Sequence, residues 1–159
     1  MEPWPEPVER VAAALRAAAP DARIEELAAG TATAAAAATA VGCELSQIVK
    51  TLVFICNSHF VIACVPGDRK ADDRRIAEAA GATQARLATR AEVLDATGFE
   101  AGAVAPFPAP AASRVLFDRS LLQHEQVWIG AGSPMHVAGL APADLVRVAH
   151  AEAADISSV

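Results

Sequence analysis

A chain of 159 residues carrying a net charge of −6 is long enough for one domain with a real core, and too acidic for general attraction to polyanions, so any nucleic-acid contact has to be local. Its 53% hydrophobic content overstates that core, because about a quarter of the residues are alanine, which buries little area each. The cysteines Cys43, Cys56 and Cys64 form no CxxC pair and sit in apolar company, which argues against a disulfide scaffold or zinc site and fits a reducing, cytoplasmic setting. No segment is long and apolar enough to span a bilayer, and the acidic, proline-rich MEPWPEPVER predicts no secretion signal.

Residues 6–19 place Val8, Val11, Leu15 and Ala18 at helical spacing with Glu9, Arg10 and Arg16 opposite, and Pro20 as a stop. A short strand is expected over 22–27, then a break at Gly30. The alanine run that follows reads as a helix and not as a disordered linker, with Thr33 as N-cap and Gly42 as C-terminal stop. Residues 51–57 and 60–65 are β-rich runs that predict a tight hairpin turning at Asn57, Ser58 and His59. Asp72 caps a helix with Ile76 and Ala80 on its buried face and Gly81 at its end. The charges of that segment, Arg69, Lys70, Arg74 and Arg75 against Asp68, Asp72, Asp73 and Glu78, nearly cancel, which fits a solvated face better than an RNA patch.

A strand is expected over 85–88, then a T-x-x-E capping box at Thr89 and Glu92 opening a helix that Gly98 closes. GFEAGAVAPFPAPAA reads as a shaped loop. Strands are expected at 115–117, 127–129 and 135–138, a closing helix from Pro142, and a polar tail over 151–159. Helices and strands mix with a hairpin, so the fold class is α/β with α+β mixing: one domain over 1–159, built on a central mixed β-sheet flanked by helices.

Lys50 is the anomaly. It stands at the mouth of a run apolar on both strand faces, Leu52, Phe54 and Cys56 on one and Val53 and Ile55 on the other, in a chain of two lysines and eleven arginines. Either the strand end opens into a pocket there, or Lys50 is the last solvated residue before burial. The usual catalytic signatures are missing: no G-x-S-x-G elbow, H-E-x-x-H, Walker loop or G-x-G-x-x-G. His59, His124, His136 and His150 read as structural or solvated before they read as ligands. The cysteines read as core. GAVAP at 102–106 is a G-x-x-x-P loop, either simple punctuation or a rigid backbone whose N–H groups approach a ligand.

QIVKTLVF, VPGDRK after a hairpin, the T-R-A-E-V-L-D-A-T-G-F helix, the G-x-x-x-P loop and the late RVLFD together resemble the YbaK/EbsC family of aminoacyl-tRNA deacylases, related to the editing domain of bacterial prolyl-tRNA synthetases. The resemblance runs from about residue 33 to 148. It implies a domain that hydrolyses the ester between a wrong amino acid and the 3′ end of a tRNA, typically tRNA-Pro, with no metal or other cofactor, no DNA and no membrane. It implies Lys50 as the site lysine, and as substrate-binding residues Thr51, the loop of Gly102, Ala103, Val104, Ala105 and Pro106, the late Asp118, and His136 in SPMH. It further implies the acceptor end of tRNA as partner, with prolyl-tRNA synthetase a second. Ala101, Pro108 and Ala109 depart from relatives that continue the loop with glycine or histidine. Two other readings stay open: a module that binds a tRNA end or nucleotide without turnover, and a small-molecule esterase using Cys or His.

Overall fold

The computed structural model describes residues 4–28 and 33–159, so the break expected at Gly30 lies outside the described residues. Its elements in chain order are α1 (Glu6–Ala18), β1 (Arg23–Glu26), α2 (Ala34–Val41), β2 (Val49–Cys56), β3 (His59–Pro66), β4 (Lys70–Ala71), α3 (Asp73–Ala79), β5 (Ala85–Leu87) and α4 (Arg90–Thr97). They continue with β6 (Arg114–Asp118), β7 (Val127–Gly130), β8 (His136–Leu140), α5 (Pro142–Ala149), β9 (Glu152–Ala154) and β10 (Ser157–Ser158). Two 3₁₀ turns, Leu45–Gln47 and Arg119–Gln123, escape the sequence reading because three to five residues carry no periodicity.

The central sheet is mixed, with strand order β5-β2-β3-β6-β9: the hairpin and β5 are antiparallel, while β3, β6 and β9 run parallel. A smaller antiparallel sheet, β1-β8-β7, meets the central sheet just before β2, through an isolated parallel bridge between Ile48 and Trp128. Strand alternation splits the core. Val49 and Val53 of β2 and Ile62 and Cys64 of β3 face α1, α4, α5 and the 99–113 loop, whereas Phe54, Cys56, Val61, Ala63 and Val65 face α3. Burial on both faces is why these strands read as unbroken apolar runs.

Helix ends follow the local signals. The Thr33 hydroxyl accepts from Ala36 N–H at 3.1 Å, and Gly42 closes α2 at φ +75°. At α4 both halves of the capping box form, and Gly98 ends the helix in the left-handed region. The hairpin turn is tighter than expected, because Cys56 pairs with His59 and only Asn57 and Ser58, both at positive φ, are left to turn. On α3 the second buried residue is Ala77, with Ala80 only half-buried.

The largest correction concerns the tail. Residues 151–159 form two strands: β9 extends the central sheet and β10 pairs with β4. Ile156 is fully buried against Phe54, Ile76 and Leu116. A single isoleucine among Ala, Asp, Glu and Ser gives no sequence pattern, yet burying it contributes about 1.5–3 kcal/mol.

Asp118 fastens this tail. It is 3% exposed, and its Oδ1 accepts from the Ile156 N–H at 3.1 Å and the Ser157 hydroxyl at 2.9 Å. Oδ2 accepts from the Ser120 N–H at 3.2 Å and from the Ser120 hydroxyl. Burial pushes this carboxyl up, but the hydrogen bonds from Ser120, Ile156 and Ser157 outweigh it and leave it below the ordinary 3.8. A carboxyl whose folded value lies below its unfolded one stabilises the fold above the unfolded value, and that contribution is lost as pH falls through the folded value. Asp118→Asn is expected to cost about 1.5–3 kcal/mol in urea unfolding at neutral pH, with the gap to wild type narrowing below about pH 4. An equal gap at both pH values would remove the carboxylate charge from this account.

Candidate functional site

A cavity of about 250 Å³ opens beside the start of β2. Ala34 and Ala37 of α2 form one wall, Val49, Lys50, Thr51 and Leu52 of β2 another, and Trp128, Ile129 and Gly130 of β7 a third. The turn into β8 adds Ser133, His136 and Val137, and the 99–113 loop adds Gly102 and Val104.

Lys50 lies inside β2, one residue past its start, and is half-buried. Its Nζ donates to the backbone carbonyl of Arg69, in the short connection between β3 and β4. That connection is tied to the base of β2, since Gly67 N–H donates to the Ile48 carbonyl at 2.7 Å and Arg69 N–H to the Pro66 carbonyl at 3.1 Å. Burial lowers the Lys50 ammonium from its ordinary value, nearby Asp68 opposes this, and Lys70 reinforces it. The direct acceptor is a neutral carbonyl, so Lys50 brings a cation to the cavity that no directly bonded carboxylate neutralises.

Thr51 faces the opposite side of the strand. It pairs with Cys64 in register, and the Thr51 hydroxyl partly offsets the effect of burial on that thiol, which is pushed up to about 12. Such a thiol is inert near neutral pH. Cys56 is also buried and pushed up by burial, while half-buried Cys43 is pushed up by burial and by Glu44. Cys56 and Cys64 are the core residues expected, whereas Cys43 is only half-buried.

The loop at 102–106 is seated by glycine on both sides. Gly102 is exposed and takes φ +89°, a conformation that L side chains rarely adopt. A Cβ on Gly130 would stand 2.9 Å from the Val104 carbonyl oxygen, so β7 approaches the loop as closely as it does only because residue 130 lacks a side chain. Ala103 spends its N–H on the Glu100 carbonyl at 2.9 Å. Ala103, Ala105 and Pro106 are buried behind the cavity wall, leaving Gly102 and Val104 as the loop residues that line it.

His136 is 5% exposed and wired at both nitrogens, with Nδ1 2.5 Å from Ser133 Oγ and Nε2 3.2 Å from Glu26 Oε2. A carboxylate only accepts, so Nε2 carries the proton, and in the neutral ring Nδ1 accepts from the Ser133 hydroxyl. Met135 N–H donates to that same hydroxyl at 3.0 Å, and the Trp4 ring meets the imidazole edge-on at 5.2 Å. The other histidines lie elsewhere: His59 begins β3, His124 ends the second 3₁₀ turn and His150 caps α5. Asp118 is not among the lining residues either.

Lys50, Thr51, Gly102, Val104 and His136, all singled out from sequence, thus meet at one cavity. Residues 28–148 match the aminoacyl-tRNA editing domain. The chain belongs to the aminoacyl-tRNA editing domain family. The editing domain is similar to YwhH of Bacillus subtilis (strain 168), with 34% identity over 123 residues, 77% of this chain and 78% of that one. It is also similar to the proline–tRNA ligase of Stenotrophomonas maltophilia (strain K279a), with 30% identity over 108 residues, 65% of this chain but only 19% of the ligase. Its fold matches the crystal structure of a candidate trans-editing enzyme for prolyl tRNA synthetase at TM-score 0.90 and 32% identity, covering 99% of this chain and all of that one. Among the described residues no helix is long and apolar enough to cross a membrane, and no group of three or more His, Cys, Asp and Glu is placed to hold a metal ion.

Sequence reasoning missed Ser133, Glu26 and Trp128. The three-residue spacing of Ser133 and His136 was available as a turn signal, whereas Glu26 reaches His136 only because β1 and β8 pair in register, across 110 positions of chain.

Two outcomes follow from this geometry. Gly130→Ala is expected to displace the Gly102-bearing loop and cost about 1–3 kcal/mol in thermal or urea unfolding, because the Val104 carbonyl has to move. Thiol titration of the folded domain at about pH 8 is expected to modify Cys43 first and to leave Cys56 and Cys64 unreacted until denaturant is added. Rapid modification of Cys64 in the folded state would reopen the thiol-enzyme reading.

Proposed function

We propose that this editing domain acts in trans as an aminoacyl-tRNA deacylase, hydrolysing the ester between a wrong amino acid and the 3′ end of tRNA, with tRNA-Pro the first acceptor to test. The observation that carries this reading is the meeting of an unneutralised lysine, a glycine-seated loop and a wired histidine at one cavity of an editing-domain fold. Water attacks the ester carbonyl, the bond to the ribose oxygen breaks, and the water's proton ends on that oxygen. Free amino acid and a tRNA with a free terminal hydroxyl result. An aminoacyl ester is already activated by its neighbouring ammonium, so positioning and oxyanion stabilisation suffice without an enzyme nucleophile.

In this mechanism the substrate's own terminal ribose hydroxyl orients the water. Lys50 holds the acceptor-end phosphate or ribose, and backbone N–H groups of the Gly102 loop receive the developing oxyanion. Thr51 and His136 shape the floor and rim, and no step needs a metal or other cofactor. Lys50 as general base is disfavoured by its hydrogen bond to the Arg69 carbonyl, which stabilises the charged form.

A second reading is favoured by one observation, the Ser133–His136–Glu26 chain, which has the connectivity of a nucleophile, a base and an orienting acid. Ser133→Ala separates the two. Under the water mechanism this variant keeps turnover within about tenfold of wild type, and no acyl-enzyme accumulates. Loss of turnover with a trapped acyl-Ser133 in wild type would replace water attack by covalent catalysis.

The primary experiment is a panel of mischarged aminoacyl-tRNAs followed by release of the amino acid, with free aminoacyl esters as controls. Lys50→Ala is expected to fold normally and lose about 10²-fold or more in deacylation. Unchanged turnover would return Lys50 to a snorkelling residue, and binding of the acceptor end without release would make the domain a recognition module.

Affinity for bare tRNA is expected to be weak. Arg10, Arg16, Arg75, Arg86, Arg114, Arg119 and Arg147 all carry carboxylate partners, so few cations remain for phosphate. Two phosphate contacts give a log–log salt slope of only about −1.5 to −2, and a much steeper slope would reveal a basic face. A synthetase that presents the tRNA, prolyl-tRNA synthetase first among them, then supplies the missing affinity in the cytoplasm.

A further inference from the structure

The acceptor that holds Lys50 belongs to a residue whose side chain is held by the C-terminal tail. Arg69 offers its backbone carbonyl to Lys50 and sends its guanidinium to Ser157, with Nε donating to Ser157 Oγ at 2.8 Å and Nη2 to the Ser157 carbonyl at 3.5 Å. Ser157 is 1% exposed and donates its own hydroxyl to Asp118 at 2.9 Å, while its carbonyl also accepts from Arg75 at 2.8 Å. The tail cannot slide past this point, because Ile156 is buried and its carbonyl accepts from Asp72 N–H at 2.9 Å. Asp118, Ser157, Arg69 and Lys50 therefore form one continuous line from the end of β6 to the cavity.

We propose that Ser157 and Arg69 are positioning residues for Lys50: the tail strand β10 clamps the Arg69 side chain, and the clamp fixes the carbonyl that aims the lysine into the cavity. This gives the late aspartate a role at the site without contact with substrate, since Asp118 acts through Ser157. Arg69 and Arg75 both converge on the tail. The proposal rests on the deacylase reading only for its activity arm, because the orientation of Lys50 is measurable without any substrate.

The chain has two lysines, so amine labelling followed by peptide mass spectrometry reads Lys50 against Lys70 as internal reference. A carbonyl acceptor favours the ammonium. Releasing it in a partly desolvated place beside Lys70, with only Asp68 to compensate, favours the free amine. Ser157→Ala is expected to raise the Lys50-to-Lys70 labelling ratio about three- to tenfold at fixed pH, with folding monitored by circular dichroism. Deacylation is expected to fall about tenfold, and the same change made in Lys50→Ala is expected to add no further loss.

An unchanged labelling ratio in a folded variant overturns the proposal, as does an equal proportional loss of turnover in the Lys50→Ala background. Where Ser157→Ala fails to fold, Arg69→Gln is read by the same criteria, since it removes the guanidinium and leaves in place the hydrogen bonds that Asp118 accepts from the tail. A raised labelling ratio in a protein that deacylates nothing on the panel supports the clamp and sinks the proposed function, so the two failures are distinguishable.

Discussion

The antiparallel register of β2 and β3, from Val49 opposite Pro66 to Cys56 opposite His59, is the constraint on which the site depends. Period-two alternation then decides every side chain's destination. Thr51 must share a face with Val49 and Val53, and Lys50 must share one with Leu52 and Phe54, the face toward α3 and the tail. Slipping the pairing by one residue would send Lys50 into the core that holds Val53 and Ile62. Such slips are opposed by Phe54, Val61, Ala63 and Val65 on one face and Val53, Ile62 and Cys64 on the other, all buried to within a few per cent. The same register fixes where β3 ends, and so where the Arg69 carbonyl arrives.

Close backbone approach at two glycines places the elements around the cavity. Gly67 brings the 66–70 connection against the first 3₁₀ turn, where a Cβ would stand 2.7 Å from the Leu45 carbonyl oxygen, and Gly130 does the same for β7 against Val104. The lining mixes small residues such as Ala34, Ala37, Gly102 and Gly130 with larger ones, Ile48, Leu52, Ile129 and the half-buried Trp128 among them. A side chain at either glycine would push the facing backbone away, so Gly130 sets the position of a cavity wall and Gly67 that of the connection behind Lys50, without contributing a polar group.

What was legible in the sequence was local. The Thr33 cap, the Thr89–Glu92 box, the Gly42 and Gly98 stops and the two-sided apolar hairpin each lie within a few residues of the structure they specify. Lys50 stood out because a cation in an apolar run demands an explanation. The Gly102 loop stood out because glycine and proline at that spacing constrain the backbone. The tail, the Glu26–His136 pair and the hydrogen bonds that Asp118 accepts from Ile156 and Ser157 were not legible, because each joins residues 36 to 110 positions apart and no one-dimensional period encodes that. Asp118 could be placed at a strand end, but what it would hold there depended on a segment that composition alone marked as solvated.

The choice of partner for Lys50 has an electrostatic consequence. Paired with a carboxylate, a half-buried ammonium is neutralised and presents little field to a ligand. Held by a carbonyl, it keeps its full charge while losing part of its hydration, which is why burial lowers it and Asp68 only partly compensates. An anion about 4 Å away interacts with such a charge by about 4 kcal/mol at the effective dielectric near a protein surface, against about 1 kcal/mol in bulk water. The arrangement therefore concentrates its attraction for anions at one point of an acidic surface, whose arginines are mostly committed to carboxylates. On the proposed deacylase reading, a polyanion is recognised through its end, where one charge can reach the cavity, and not along its length.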